Sequence, residues 1–144
     1  MTTVVLDKVV YTAVATVTGG RAEGRARSGD GVLDVQLRRP VEMGGPGGAT
    51  NPEQLFAAGW AACFQAALGV VAGRRRVDVA TSEVTCRVSL GPVGERFGLG
   101  AELDVSVPGV DPQVGAELVA AAHEICPYSN ATRGNIEVTV RHVT

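Results

Sequence analysis

The sequence predicts a mixed α+β domain whose elements run β-β-β-α-β-β-α-β. Three observations carry this: runs rich in β-branched residues that alternate in polarity toward both ends, one long uncharged run from Leu55 to Gly73, and Gly- and Pro-containing turns between them. No internal repeat and no shift of composition marks a second domain, so residues 1–144 are expected to form one.

Val9 to Val17 reads VVYTAVATV and predicts the first strand. Gly19-Gly20 turns the chain into a second strand, Arg21 to Ser28, and Asp30-Gly31 turns it into a third, Val32 to Leu37. The stretch 43–48, MGGPGG, is too Gly-rich for regular structure and is expected to be a flexible loop, with the question of whether it gates a site left open. Thr50-Asn51-Pro52-Glu53 has capping-box spacing: the Thr50 hydroxyl accepts from the Glu53 amide, Glu53 reaches back, and Pro52 is tolerated in the first turn.

The helix opened there, LFAAGWAACFQAALGVVAG, is long and apolar enough to be weighed as a membrane span, with Arg74-Arg75-Arg76 behind it. It is built of Ala and Gly rather than Leu and Ile, holds Gln65 at its middle, and is flanked by strand-like segments. These features predict a central helix of a soluble protein, covered by sheet and by a second copy of itself, without membrane insertion. Beyond it, Val84, Cys86, Val88 and Leu90 share one face of a strand from Glu83 to Leu90. Leu99, Ala101, Leu103, Val105 and Val107 face inward on the next. Asp111-Pro112 starts a second helix that runs to about Cys126, where Pro127 prevents continuation, and Ile136, Val138 and Val140 form the last strand.

Thirteen basic against fifteen acidic residues, with a sequence pI near 5.7, imply no cationic face, so nucleic acid is not an expected partner. A chain of 144 residues can bury about two thirds of its unfolded surface without disulfide staples. Its three cysteines form no CxxC pair, and Asp7-Lys8 interrupts the N-terminal apolar run. The expected compartment is the reducing cytoplasm, where the glycosylation pattern Asn130-Ala131-Thr132 has no meaning.

Each thiol has competing readings. Cys86, in an inward strand register, reads as a small core residue. Cys63 lies on a stripe of Glu53, Phe56, Trp60, Cys63 and Ala67, and reads equally as core or as a reactive thiol. Cys126 ends a helix where the chain must change direction, which leaves it able to meet a thiol from another helix. His123 and Cys126, three apart, are a weak metal pair with no second close-spaced pair to complete a zinc site, so no metal is expected.

A buried thiol needs a nearby cation to form the thiolate. Twelve of the thirteen basic residues are arginines, and Arg21, behind the flexible Gly19-Gly20, can be aimed inward or left in solvent. An inward arginine needs a carboxylate to orient it, for which Glu53 is the best placed. Glu53 and Cys63 lie about 15 Å apart along an ideal helix. Two antiparallel central helices would bring one subunit's Glu53 toward the other's Cys63, giving a site composed from both.

These residues carry a resemblance. Tyr11-Thr12, Gly19-Gly20-Arg21, Ser28 to Gly31, the run from Thr50 to Gly59, Ala61-Ala62-Cys63-Phe64, and Cys126-Pro127-Tyr128-Ser129-Asn130-Ala131-Thr132-Arg133-Gly134-Asn135 make the chain resemble the organic hydroperoxide resistance (Ohr) subfamily of the OsmC/Ohr peroxidases over nearly its full length. The resemblance implies a cytoplasmic, intertwined homodimer with central buried helices wrapped by two curved β-sheets. It implies a thiol-dependent peroxidase acting on organic and fatty-acid hydroperoxides, with no bound cofactor and with dihydrolipoamide or lipoylated proteins as reductant. By the same resemblance Cys63 matches the peroxidatic cysteine, Cys126 the resolving cysteine, and Arg21 with Glu53 the pair that activates the thiolate, while Cys86 has no counterpart. Two other classes stand beside it: a thiol redox sensor that passes a Cys63–Cys126 disulfide to a partner, and a non-enzymatic binding module in which these thiols only pack.

Overall fold

The computed structural model describes residues 3–144, which fall into two compact units divided between Pro52 and Glu53. The first unit holds an antiparallel meander of β1 (Ala15–Thr18), β2 (Gly24–Ser28) and β3 (Asp34–Leu37), with β2 in the middle. Ala15 pairs with Ser28, and Gly24 pairs with Leu37. All three strands are shorter than their hydrophobic patterns suggest. The first starts at Ala15 rather than Val9, and the residues ahead of it have no partner strand among the described residues; Val10 and Tyr11 are 85% and 80% exposed.

The second strand starts late because the chain is still turning. Gly19 and Gly20 have φ of 75° and 62°, and a Cβ on Gly19 would lie 2.3 Å from the Glu23 carbonyl oxygen. The turn into β3 is an Asx-type knot: Asp30 Oδ1 accepts from Ser28 Oγ at 2.5 Å and from the Val32 amide at 3.0 Å. Stretch 43–48 is folded rather than loose. A 3-10 turn at Val41–Met43 ends on left-handed Gly44, and the Gly45 and Gly47 amides donate to the Pro40 and Arg39 carbonyls, each at 3.0 Å. These bonds tie the segment to the end of β3, so it is more ordered than its composition predicts.

The second unit is built on α1 (Pro52–Arg74), β4 (Glu83–Val93), β5 (Arg96–Ser106), α2 (Pro112–Ile125), α3 (Pro127–Thr132) and β6 (Glu137–Val143). Helix α1 begins at Pro52, directly after the segment from Thr50 to Asn51. The Thr50 backbone bridges to Leu37, its amide donating to the Gln36 carbonyl at 3.1 Å and its carbonyl accepting from Arg38 at 2.9 Å. The sheet runs β4-β5-β6, with β4 antiparallel and β6 parallel to β5. The β4–β5 hairpin continues through Gly91, Pro92 and Gly98 to the pair Val93↔Arg96, closed by Gly94-Glu95. Pro92 is tolerated because β4 is an edge strand.

Parallel pairing of β5 with β6 requires a crossover, which α2 supplies. Asp111 starts α2 as anticipated, its carboxylate accepting from the Gln113 and Val114 amides at 3.2 Å each. Pro127 does stop α2, but it also opens α3, a helix the sequence reading lacks, by occupying its first position.

The core of this unit joins Trp60, Phe64 and Leu68 of α1, Leu103 and Val105 of β5, Leu118 and Ala122 of α2, and Cys126, all fully buried. The inward register read for β5 holds at Ala101, Leu103 and Val105. On α1 the buried residues follow helical spacing along one face only. The other face, with Ala58, Ala62, Ala66, Gly69 and Gly73, is exposed, and Val70 on it is 49% exposed. By length and composition α1 could cross a membrane; 33% of its most apolar window is buried inside this fold.

Candidate active site

Cys63 sits in the third turn of α1, on the flank of the buried stripe between Trp60 and Phe64. Cys126 occupies the joint between α2 and α3, at extended φ −64°, ψ 123°. Its amide donates to the Ala122 carbonyl and its carbonyl accepts from the Asn130 amide, each at 2.9 Å, so it belongs to the hydrogen-bond ladders of both helices. The fold thereby brings two thiols 63 residues apart to an Sγ–Sγ distance of 3.7 Å. Cys126 is fully buried and Cys63 half-buried.

Burial pushes the Cys63 thiol above its ordinary value, and the neighbouring Cys126 pushes it further. The backbone N–H of Tyr128, donating to the Cys63 sulfur, opposes both. That amide is presented by the first turn of α3, two residues beyond Cys126, so a single short segment delivers both a thiol and an N–H to Cys63. Around them stands an aromatic wall. The Phe56 and Tyr128 rings meet edge to face at 5.8 Å, Phe56 and Trp60 lie at 5.8 Å, and Trp60 and Tyr128 at 6.5 Å. Gly59 leaves room for this: a Cβ there would stand 3.0 Å from the Tyr128 hydroxyl.

His123, weighed above as half of a metal pair or as a surface residue, is engaged otherwise. It is half-buried, its ring 6.5 Å from that of Phe64, and its Nδ1 lies 2.8 Å from Oγ of fully buried Ser129. Burial and the nearby Arg133 hold its pKa below the usual histidine value. Arg133 in turn donates to the His123 carbonyl at 2.7 Å and to Asn130 Oδ1. The sequence reading missed this assembly and the Tyr128 amide. The available signal was the spacing of His123, Cys126 and Ser129 by threes around a proline.

Glu53 lies in the first turn of α1, ten residues before Cys63, which is about 15 Å along the axis. Arg21 belongs to the first unit, directly after the left-handed Gly19-Gly20 pair, and is half-buried. Cys86 is on β4 opposite Leu103, packed against the core, and burial pushes its thiol up to about 11. It reads as a packing residue, as expected.

Comparison with known proteins places this arrangement. The family model described as OsmC-like protein matches residues 45–141. An organic hydroperoxide resistance protein of Xanthomonas axonopodis pv. citri is 52% identical over 136 residues, covering 93% of this chain and 95% of its own. Among solved structures, an organic hydroperoxide resistance protein of Legionella pneumophila superposes with a TM-score of 0.90 at 45% identity, over 95% of this chain and 100% of that one. One from Elizabethkingia anophelis gives 0.89 at 43% identity, over 95% and 99%. With its two three-stranded sheets, its long central helix and relatives matched end to end, the chain belongs to the OsmC-like protein family, among the organic hydroperoxide resistance proteins.

Proposed function

We propose that the chain is a cysteine-based peroxidase that reduces organic hydroperoxides to alcohols. The observation that carries this reading is the 3.7 Å approach of Cys63 and Cys126 behind an aromatic wall. The relatives' name, organic hydroperoxide resistance protein, points to the substrate class. The Cys63 thiolate attacks the distal oxygen of ROOH, the O–O bond breaks, and ROH leaves after protonation, so that Cys63 becomes a sulfenic acid. Cys126 then displaces hydroxide from that sulfur, forming the disulfide and releasing water. A dithiol of the dihydrolipoyl type, free or on a lipoylated protein, reopens it through a mixed disulfide. The apolar aromatic surroundings favour alkyl and fatty-acid hydroperoxides over hydrogen peroxide.

Within the chain, burial opposes the thiolate that this chemistry needs. Arg21, oriented by Glu53, supplies the compensating cation. The reading includes a cytoplasmic homodimer, in which the exposed small-residue face of α1 packs on its copy and one subunit's Glu53 approaches the other's Cys63. The test is consumption of cumene hydroperoxide under dihydrolipoamide, beside Cys63→Ser and a parallel assay with hydrogen peroxide. Rapid turnover that is lost with Cys63 and weak with hydrogen peroxide is the expected result. Turnover indifferent to Cys63 refutes the reading.

A further inference from the structure

The disulfide step makes a demand that the thiols alone do not meet. Cys126 must reach the Cys63 sulfur along the line of the departing S–O bond, before a second peroxide oxidises the sulfenic acid further. Its sulfur is carried by an unusual support, a one-residue joint between two helices. The second of these has only six residues and no side-chain cap at its N-terminus. A helix so short has little stability of its own. Something outside its own hydrogen-bond ladder must hold the joint.

His123 and Ser129 flank Cys126 at three residues on either side, one in the last turn of α2 and the other inside α3. Their side chains meet at 2.8 Å across the joint. Ser129 is fully buried, so an unpaired hydroxyl there would carry a desolvation penalty. The His123 ring is backed by Phe64, the residue after Cys63, at 6.5 Å. Arg133, just past α3, donates at 2.7 Å to the His123 carbonyl and so closes the same joint along the main chain. The segment thus clamped holds Cys126 and also the Tyr128 amide, the two groups directed at the Cys63 sulfur.

We propose that His123 and Ser129 are positioning residues for disulfide formation, with their hydrogen bond locking the joint that aims Cys126 at oxidised Cys63. This rests on the peroxidase reading above. In the step concerned an S–S bond forms, the Cys63 S–O bond breaks, and hydroxide leaves with the Cys126 proton as water. Neither positioning residue touches the peroxide, and a looser joint costs the first step only the Tyr128 amide's share in the Cys63 thiolate, so their removal slows the second step far more than the first. The same looseness gives the sulfenic acid time to become sulfinic acid.

The experiment is single turnover of the full-length reduced protein with cumene hydroperoxide. Peroxide loss is followed separately from disulfide formation, and sulfinic acid on Cys63 is measured by intact-mass spectrometry under excess peroxide. Loss of a hydrogen bond that positions a reacting group is expected to slow disulfide formation about tenfold in His123→Ala and in Ser129→Ala. Peroxide loss is expected to change less than about threefold, since a shift that small corresponds to under half the free energy of a tenfold one. His123→Asn, whose amide can occupy the place of Nδ1, restores disulfide formation at least in part and suppresses the sulfinic acid. Both steps falling together in the alanine variants, or His123→Asn behaving as His123→Ala, overturns the positioning role. Wild-type protein forming the disulfide at a rate the variants share overturns it alone. Wild-type protein consuming peroxide with no Cys63–Cys126 disulfide overturns the disulfide mechanism and this role with it.

Discussion

Oxidation of the Cys63–Cys126 pair should raise stability rather than strain the fold, and by an amount the geometry sets. Closing the sulfurs from 3.7 Å to about 2.05 Å moves them by about 1.7 Å, a displacement that a partial χ1 rotation of either side chain covers. No helix has to unwind, so the native state has little strain to set against the gain. The gain lies in the unfolded chain. A cross-link between residues 63 positions apart removes loop entropy worth about 4 kcal/mol on the polymer-entropy model. For a chain of this size, that corresponds to a rise in Tm of about 10 °C or somewhat more. The assay is thermal unfolding of diamide-oxidised against phosphine-reduced protein in a Cys86→Ala background, which leaves only the two relevant thiols. One fixed protein concentration must be used, because any self-association would shift both curves. An oxidised form that melts no higher than the reduced one would mean that the disulfide distorts the joint at Cys126, and the reasoning from the 3.7 Å approach would fail.

Three further outcomes follow from particular contacts. Cys86, with its thiol pushed up to about 11, should be alkylated by iodoacetamide at pH 8 far more slowly than Cys63 in folded reduced protein. Cys86→Ala should keep turnover within about twofold, since only about one part in a thousand of such a thiol is ionised at that pH; a tenfold loss would place this thiol in the cycle. Gly115→Ala gains about 1 kcal/mol of helix propensity but drives a Cβ to 2.7 Å from His142 Nε2 and 2.9 Å from Val107 Cγ2. The His142 ring can swing aside, but Val107 is 5% exposed and cannot, so overpacking wins by about 1 kcal/mol and lowers Tm by about 3 °C; a higher Tm would refute this. Asp104 accepts from Arg87 at 2.7 Å and Arg141 at 2.9 Å, and these hold its carboxyl below the ordinary range. The stability it adds is complete above the unfolded carboxylate pKa, about 4, and is lost as pH falls through the lower folded value. Acid unfolding curves should therefore be shallower for Asp104→Asn than for wild type, and parallel curves would refute the linkage.

What the sequence made legible follows from the range of the forces involved. Alternation in β5 put Ala101, Leu103 and Val105 inward, and the Asp111 cap started α2, because both depend on neighbours a few residues away. The long β4–β5 hairpin was hidden because Gly91, Pro92 and Gly98 carry the local signals of a loop. Only pairing along the whole ladder, with β4 at the edge, overrides them. The first strand shrank for the complementary reason: Val9 to Val14 have strand propensity but, beyond the single bond from the Gly29 amide to the Val14 carbonyl, no partner strand among the described residues. Helix α3 escaped notice because a proline after a helix reads as a stop, yet Pro127 is equally suited to a first turn. At the site, the reactive candidates Cys63 and Cys126 could be named from helix position and family resemblance. The Tyr128 amide could not, since it is a main-chain group whose identity leaves no trace in the sequence.

The second unit by itself supplies part of what the chemistry proposed for Cys63 requires. A second thiol and aromatic rings stand close by, and the Tyr128 N–H favours the anion, yet burial remains the largest influence on Cys63 and acts against ionisation. One N–H is a partial dipole, whereas a guanidinium within about 4–6 Å lowers a pKa by roughly 1–3 units. A second shortfall lies on the same helix. The face of α1 carrying Ala58, Ala62, Ala66, Gly69, Val70 and Gly73 is apolar and exposed, and its small residues would let another helix approach closely. Glu53, about 15 Å from Cys63 within one helix, is too far to orient a cation there from the same α1. Antiparallel packing of two copies of α1 would cover the apolar face, and would also carry the Glu53 end of one helix toward the Cys63 of the other. Under this proposal the helix is apolar all round because pairing and catalysis draw on the same surface. Loss of the dimer should then raise the Cys63 pKa as well as lower stability.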